Sequence, residues 1–311
     1  MGSKKMAAIA TILNPLATGE ELTTYWNSNS GDLVMVHRKT PENPEPLKLE
    51  DVETSEIGTI KNPSSIAAVH YNGSIRVYAI TNDPDANKET NAAPKAILKQ
   101  VSPTVESLTP SIAVTASASL AGIASSNHDK AWLYFLNTDT TKRTQIQECT
   151  LGNHSKPKKF ELETLPNTYL AAVYQSFEQT TRRLVFFQTP SSDTDVNPIH
   201  VVDFGSDALS TSTLDITRSA KPRTPLAACI AKASNGTEYI YIYFVDKGNQ
   251  LNMALVAQNG QVVDSLQVHK APVVADWSQL SVTAGAKHNF VTYVTKRDGD
   301  DVLEIYADVR K

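Results

Sequence analysis

The sequence predicts an all-β fold, a six-bladed β-propeller with three to four antiparallel strands in each blade. A short motif recurs six times: a large apolar residue, two small residues and usually a second apolar residue. Its copies are MAAIA (6–10), IAAVH (66–70), LAGIA (120–124), LAAVY (170–174), LAACI (226–230) and LSVTA (280–284). Self-similarity at a period of about 50 residues, with several strands per unit, is typical of propellers. Small side chains would let the innermost strands converge around the axis.

Each copy is followed by an aromatic strand and then by a third strand. The aromatic strands are TTYWN (23–27), RVYAI (76–80), WLYFL (132–136), LVFFQ (184–188), YIYFV (241–245) and VTYVT (291–295). Third strands include LVMVHR (33–38), QIQECTL (145–151), PIHVVDF (198–204), LNMALV (251–256) and VLEIYAD (302–308). Repetition of Tyr25, Tyr78, Tyr134, Phe186, Tyr243 and Tyr293 at one position predicts a packed core.

Taken in order, the chain of 311 residues is expected to form one domain with blades near 1–62, 63–117, 118–165, 166–222, 223–276 and 277–311. Asn-Gly and Asp-Gly pairs at 72–73, 235–236 and 298–299 predict hairpin turns. The proline-rich run 40–53 is interpreted as the approach to an outer strand of blade one. The polar insertion 81–94 is either a disordered excursion or a lid. Ring closure stays open, because few residues precede the first copy.

The composition and charge of the chain argue against several classes of partner and cofactor. The formal net charge is −4 from 29 basic and 33 acidic residues, with no long basic block, which argues against nucleic acid as a partner. No segment approaches the roughly 20 apolar residues that span a bilayer, so no membrane partner is expected. Without a recognisable signal peptide, the expected location is cytoplasmic. Cys149 and Cys229 are expected to be separate thiols. The seven histidines lack metal-ligand spacing, so neither a metal nor a cofactor is predicted.

The alternation of I-A-A-V (Ile66–Val69) with I-R-V-Y (Ile75–Tyr78) resembles the fungal fucose-specific lectins, which are six-bladed propellers. The resemblance implies sugar pockets between blades. It also implies an arginine opening the second strand and a glutamate on the third strand to hold the sugar hydroxyls, with aromatic rings against the apolar face. A guanidinium group can donate hydrogen bonds to the sugar hydroxyls, and an aromatic ring can pack against the apolar face of the sugar.

The arginine survives in only one repeat. The six equivalent positions hold Thr23, Arg76, Trp132, Leu184, Tyr241 and Val291. No glutamate lies in register after Arg76, and Glu148 and Glu304 lie in repeats without the arginine. The lectin sites are therefore expected to be degenerate, because fold alone does not fix function.

The replacements allow two interpretations. These residues either close the pockets by packing between blades or line one pocket for an apolar small molecule: Trp132, Tyr241, Leu184 and Val291. At the fifth position of the first strand, only His70 and Tyr174 can form side-chain hydrogen bonds. They are either satisfied core residues or donors to a ligand. Trp277 could likewise stack on a ligand or fill space.

The sequence combines lectin-like repeats with degenerate sugar sites. In this it resembles what is expected of the fungal hetero-Diels–Alderases of tropolonic sesquiterpenoid biosynthesis. That resemblance implies a cofactor-independent pericyclase, joining an o-quinone methide tropolone to a humulene-type alkene by an intermolecular [4+2] addition. Positioning alone can supply roughly 7–11 kcal/mol of such a barrier. Arg76, His70 and Tyr174 are the candidate catalytic donors, and Trp132, Tyr241, Leu184 and Trp277 the candidate walls for small apolar or aromatic substrates.

Two alternatives from other classes stay open. One is a carbohydrate-binding module with degenerate sites, and the other is a non-catalytic interaction scaffold. A homodimer is also open.

Overall fold

A computed structural model describes residues 7–28, 30–40, 47–48, 60–61, 64–82, 96–114, 119–138, 143–153, 155–177, 180–190, 196–206 and 209–310. Their strands form six small antiparallel sheets. The innermost strands of successive sheets contact one another around a closed ring. The predicted six-bladed β-propeller is therefore confirmed.

In the first half of the described chain, blade one has three strands and blades two and three have four each. Blade one contains β1 (Ile9–Leu13), β2 (Glu21–Asn27) and β3 (Leu33–Lys39), and the next strand in the chain is β4 (Leu47–Lys48). Blade two contains β5 (Ile66–Tyr71), β6 (Ser74–Asn82), β7 (Ala96–Ser102) and β8 (Glu106–Val114). Blade three contains β9 (Leu120–Ala124), β10 (Ala131–Thr138), β11 (Thr144–Thr150) and β12 (Lys158–Phe160).

The second half continues the same meander. Blade four contains β13 (Ala171–Phe177), β14 (Thr180–Gln188), β15 (Ile199–Asp203) and β16 (Thr211–Leu214), followed by a 3-10 turn (Asp215–Thr217). Blade five contains β17 (Leu226–Lys232), β18 (Glu238–Val245), β19 (Leu251–Ala257) and β20 (Val262–Gln267). Blade six contains β21 (Ser281–Ala284), β22 (His288–Arg297) and β23 (Asp300–Val309), with β4 as its fourth strand.

The ring closes with residues from the beginning of the chain. The Ala7 N–H donates to the Trp277 carbonyl at 3.1 Å, and the Ala7 carbonyl accepts from the Gln279 N–H at 3.0 Å. Strand β4 pairs with Val302 and Leu303 of β23. The expectation that segment 40–53 supplies the outer strand of blade one is wrong for the part that the structure describes. Strand β23 would otherwise present an unpaired edge, and β4 covers it.

The first copy of the repeat lies three residues later than predicted. Ala10 is opposite Tyr25, as Ala67 is opposite Tyr78 in blade two. The copy in blade one is therefore IATIL (9–13), because Ala7 takes part in ring closure.

Small residues at the hub do let strands converge. A Cβ added to Gly122 would lie 2.8 Å from Val69 Cγ1 and 3.3 Å from Ala67 Cβ. Even alanine at this position would press into the neighbouring blade, which explains why a glycine stands in the third copy.

The repeated aromatic position is buried in every blade, as predicted: Tyr25, Tyr78, Tyr134, Phe186, Tyr243 and Tyr293. Both cysteines are buried free thiols, also as predicted. Burial raises the pKa of Cys149 to about 11 and that of Cys229 to about 12, so both stay protonated near neutral pH. In the described residues, no helix has the length and apolar character needed to cross a membrane.

Candidate functional site

A cavity of about 310 Å³ lies between blades two and three. Blade two lines it with Tyr71, Asn72, Arg76, Tyr78, Gln100 and residues 106–108, and blade three lines it with residues 149–153. This is the boundary at which the sequence keeps its one arginine of the lectin type.

Arg76 reaches the cavity from β6. Its guanidinium lies over the Tyr71 ring, 5.1 Å from the ring centroid. Its Nη1 is 3.5 Å from Gln100 Oε1, and its buried Nε has no hydrogen-bond partner among the residues that the structure describes. In the part of the chain that the structure describes, Arg76 forms no ion pair. Among the described residues, Arg76 thus has Gln100 and Tyr78 as its polar contacts and no carboxylate partner, which is unusual for a half-buried charged group.

Gln100 occupies the third-strand position opposite the repeated aromatic residue. It pairs in register with Tyr78, as Glu148 pairs with Tyr134 in blade three. Its Nε2 donates to the Thr104 carbonyl and hydroxyl oxygens, both at 3.2 Å, which orients the Oε1 toward the Tyr78 hydroxyl at 3.4 Å. Burial raises the pKa of Tyr78 to about 12, although nearby Arg76 opposes the shift, so the phenol is neutral.

The sequence analysis missed one acidic residue of this cavity. Glu106 lies on the outer strand β8, directly opposite Gln100, and accepts a hydrogen bond from the Thr104 hydroxyl at 3.2 Å. A register shift after Leu98 brings it there. The family pattern places the acidic residue on a third strand, whereas Glu106 lies on a fourth. The sequence signal for Glu106 is the short turn that folds β8 back onto β7.

Tyr71 and Gly152 shape the cavity together. The Tyr71 hydroxyl lies 3.5 Å from the Leu151 carbonyl oxygen. A Cβ added to Gly152 would lie 2.7 Å from that hydroxyl, and Gly152 has a φ of +72°. Both the space and the backbone conformation favour glycine here.

At the boundary between blades three and four, protein groups fill the equivalent space. Glu148 pairs with Arg183 of the neighbouring blade at 3.2 Å and accepts from the Tyr134 hydroxyl at 2.8 Å. The Arg183 guanidinium lies over the Trp132 ring at 4.7 Å, and the Tyr174 ring stacks on Trp132 at 5.7 Å. Sequence reasoning missed Arg183, because it is supplied by the next blade rather than by the blade of Glu148.

Polar groups also meet at the boundary between blades five and six, and blade six holds an ion pair of its own. The Tyr243 hydroxyl donates to Asp308 at 2.6 Å and accepts from the Asn289 amide at 2.9 Å. Glu304 pairs with Arg297 at 2.8 Å. Burial raises the pKa of Glu304 and the Arg297 charge opposes that shift.

The predicted site residues are dispersed. Arg76 lines the cavity, whereas His70 and Tyr174 are not among the described lining residues. The His70 ring instead lies 4.3 Å from the His128 ring. Trp277 packs near the ring closure.

The other candidate walls are buried: Trp132, Tyr241 and Leu184. Most of the 81–94 insertion, considered as a lid, falls outside the described residues.

Comparison with known proteins places the fold in context. No family model matches the chain. The chain is 26% identical to proteins named wall-associated proteinase from Coccidioides immitis and Coccidioides posadasii, over 97% of this chain and 96% of theirs. It is also similar to the SapL1 lectin solved with α-methyl fucoside, with a TM-score of 0.64, 17% identity and coverage of 98% and 96%.

A fucose-specific lectin from Aleuria aurantia gives a TM-score of 0.66 at 14% identity, covering 98% of this chain and 97% of the lectin. The structural neighbours thus include fungal fucose-specific lectins with six-bladed propellers. The likeness confirms the lectin-like fold predicted from the repeats.

Proposed function

We propose that this chain is a carbohydrate-binding, lectin-like propeller whose working pocket is the cavity between blades two and three. One observation carries the proposal. Arg76 lines an open cavity with its donors largely uncommitted, whereas Arg183 and Arg297 are committed to Glu148 and Glu304.

The cavity offers the groups that a sugar ring needs. Arg76 donates hydrogen bonds, whereas the Gln100 carbonyl and the Glu106 carboxylate accept them, so hydroxyls can be bound in both senses. Its volume of about 310 Å³ is at the lower end of the range for small-molecule sites, which suits one monosaccharide unit. The structural neighbours that bind fucosides support a sugar as the ligand class.

The hetero-Diels–Alderase stays a separate hypothesis with less support. It requires one cavity to hold two organic reactants in a near-attack arrangement. The small cavity volume, and a described lining that includes Arg76 but neither His70 nor Tyr174, favour a single sugar-sized ligand.

A glycan array followed by calorimetric titration tests the proposal. The intact protein should bind at least one monosaccharide class saturably. Arg76→Ala should weaken that binding at least tenfold, because a charge-assisted hydrogen bond contributes about 1.5–3 kcal/mol. Arg182→Ala is the matched control, since Arg182 pairs with Asp203 in blade four.

Equal binding by Arg76→Ala would place the pocket elsewhere. An array without any bound glycan would remove the lectin proposal. Incubation with an o-quinone methide precursor and a humulene-type alkene, analysed by chiral chromatography, would then test the pericyclase.

A further inference from the structure

We propose that the Arg76 cavity prefers a hexuronic acid, a sugar ring that carries a carboxylate, over its neutral counterpart. This inference rests on the proposed function and names its ligand class. In the proposed complex the ligand carboxylate lies against Arg76, and the ring hydroxyls face Gln100 and Glu106.

The first argument is the charge of the cavity. Among its described lining residues, the ionisable groups that carry charge near neutral pH are Arg76 and Glu106. Tyr78 and Cys149 also line it, and burial keeps both protonated. The inner end of the cavity is therefore positive and the outer end negative.

The second argument is an internal comparison. In blade three, where Glu148 occupies the third-strand position, its two oxygens accept from Arg183 Nε at 3.2 Å and from Nη2 at 3.4 Å. In blade two the same position holds neutral Gln100, whose contact with Arg76 is the single one at 3.5 Å. The chain itself thus shows how a guanidinium at such a boundary binds a carboxylate. A ligand carboxylate would supply the anionic partner that Arg76 lacks among the described residues.

Glu106 determines the orientation rather than opposing the binding. It is exposed on the outer strand, where water and salt screen its charge. Half-buried Arg76 is screened less. A hexuronic acid whose carboxylate points inward gains the interaction with Arg76 and keeps its hydroxyls near Glu106.

The test uses two pairs of probes, methyl galacturonoside with methyl galactoside and methyl glucuronoside with methyl glucoside, and methyl fucoside as a neutral reference. Isothermal titration is carried out with the full chain at low salt and at high salt. At low salt, at least one acidic probe should bind five- to tenfold or more tightly than its neutral partner. That preference should shrink at high salt, because its source is a charge pair.

Gln100→Glu is the decisive variant, since it changes one amide to a carboxylate of the same shape. The new carboxylate pairs with Arg76, so the acidic preference should fall to unity or below. Gln267→Glu is the matched control, because it makes the same change at an exposed position of blade five outside the cavity, and it should keep the preference. Circular dichroism and the unfolding midpoint confirm that both variants are folded.

Each outcome is diagnostic. Equal binding of the acidic and neutral probes by the unaltered protein, or a preference retained in Gln100→Glu, overturns this inference and leaves the lectin proposal standing. Absence of binding for every sugar on the array and every probe overturns the lectin proposal itself. The salt series needs no variant, so it remains informative even if Gln100→Glu fails to fold.

Discussion

Tyr71 is held from two sides, and each contact depends on one residue. The Arg76 guanidinium covers its ring, and Gly152 leaves room for its hydroxyl. The shape of the cavity therefore depends on the position of the Tyr71 side chain.

Gly152→Ala should displace Tyr71 and weaken sugar binding. The added Cβ would lie 2.7 Å from the hydroxyl, in a backbone conformation that disfavours alanine. We expect a loss of about 1–2 kcal/mol of stability and a measurable loss of affinity. Gly73→Ala is the control, because Gly73 has a similar φ of +75° and nothing within 4 Å of the new Cβ. Urea unfolding and titration separate the two effects, and equal affinities in both variants would contradict the role given to Tyr71.

His70 predicts a loss of stability in mild acid. Its pKa is lowered, first by burial and then by the charge of His128. The unfolded chain therefore binds this proton more readily than the folded one, and stability falls as the pH drops below about 6.5. The Ser125 hydroxyl donates to the carboxylate of Asp129, beside His128 in the chain, and lowers the pKa of that carboxyl group.

Unfolding midpoints at pH 7.5 and pH 5 test this. His70→Asn should lose less stability between the two values than the unaltered protein, whereas His269→Asn, at an exposed position, should lose as much. Parallel losses in His70→Asn and the unaltered protein would show that other groups dominate.

At the scale of the blade, a buried polar side chain of one blade can find its hydrogen-bond partner in the neighbouring blade. Glu148 of β11 is almost fully buried and is satisfied by Arg183 of β14. The same arginine donates to the Phe204 carbonyl at 2.7 Å and covers Trp132. Blades three and four are thus joined by a charged contact inside an apolar boundary.

Arg183→Ala should cost about 3–5 kcal/mol, because it leaves Glu148 buried without its cation. Adding Glu148→Gln should restore part of that stability, since an amide tolerates burial better than a carboxylate. Arg182→Ala should cost less, because the Arg182–Asp203 pair is more exposed. Urea unfolding of the three variants checks the order. A double variant less stable than Arg183→Ala would refute the argument.

At the scale of the whole molecule, the hub is joined by hydrogen bonds as well as by packing. Gln279 Oε1 accepts from the Ile9 N–H at 3.0 Å and from the Ile66 N–H at 3.4 Å. Its Nε2 donates to the Ile66 carbonyl at 3.3 Å. One side chain therefore connects the beginning of blade six with blades one and two.

Gln279→Ala should cost roughly 2–4 kcal/mol, because it leaves buried N–H groups without an acceptor. Gln175→Ala is the control. Gln175 makes one amide contact at 3.2 Å, and its buried Oε1 has no partner, so its removal should cost at most about 1.5 kcal/mol. Thermal unfolding monitored by circular dichroism measures both, and equal midpoints would contradict the bridging role.

The fold could be predicted because it repeats. Six copies of one pattern suffice to predict six innermost strands, because small residues such as Gly122 are needed wherever these strands converge. Only the first copy was misplaced, by three residues. The closure could not be read in this way. The contacts of Ala7 and β4 do not belong to the repeated pattern, and their partners lie near the other end of the sequence.

The candidate site was predicted in part. Arg76 stands out because it matches a family pattern on a strand of known register. Glu106 and Arg183 were not predicted. The position of Glu106 depends on the register shift in β7, and Arg183 contacts a residue of the neighbouring blade. Residues that interact across two blades are not separated by a fixed number of positions in the sequence.

The fourth strand of blade six has a consequence for the order of synthesis. Residues 47–48 leave the ribosome long before Asp300–Val309, the strand with which they pair. Until β23 has been made, the blades of the growing polypeptide form an open arc, and β4 has no partner strand in blade six. Contacts between such distant parts of a sequence form slowly. Strand β23 therefore completes blade six, and we expect the open arc to persist until β23 is available.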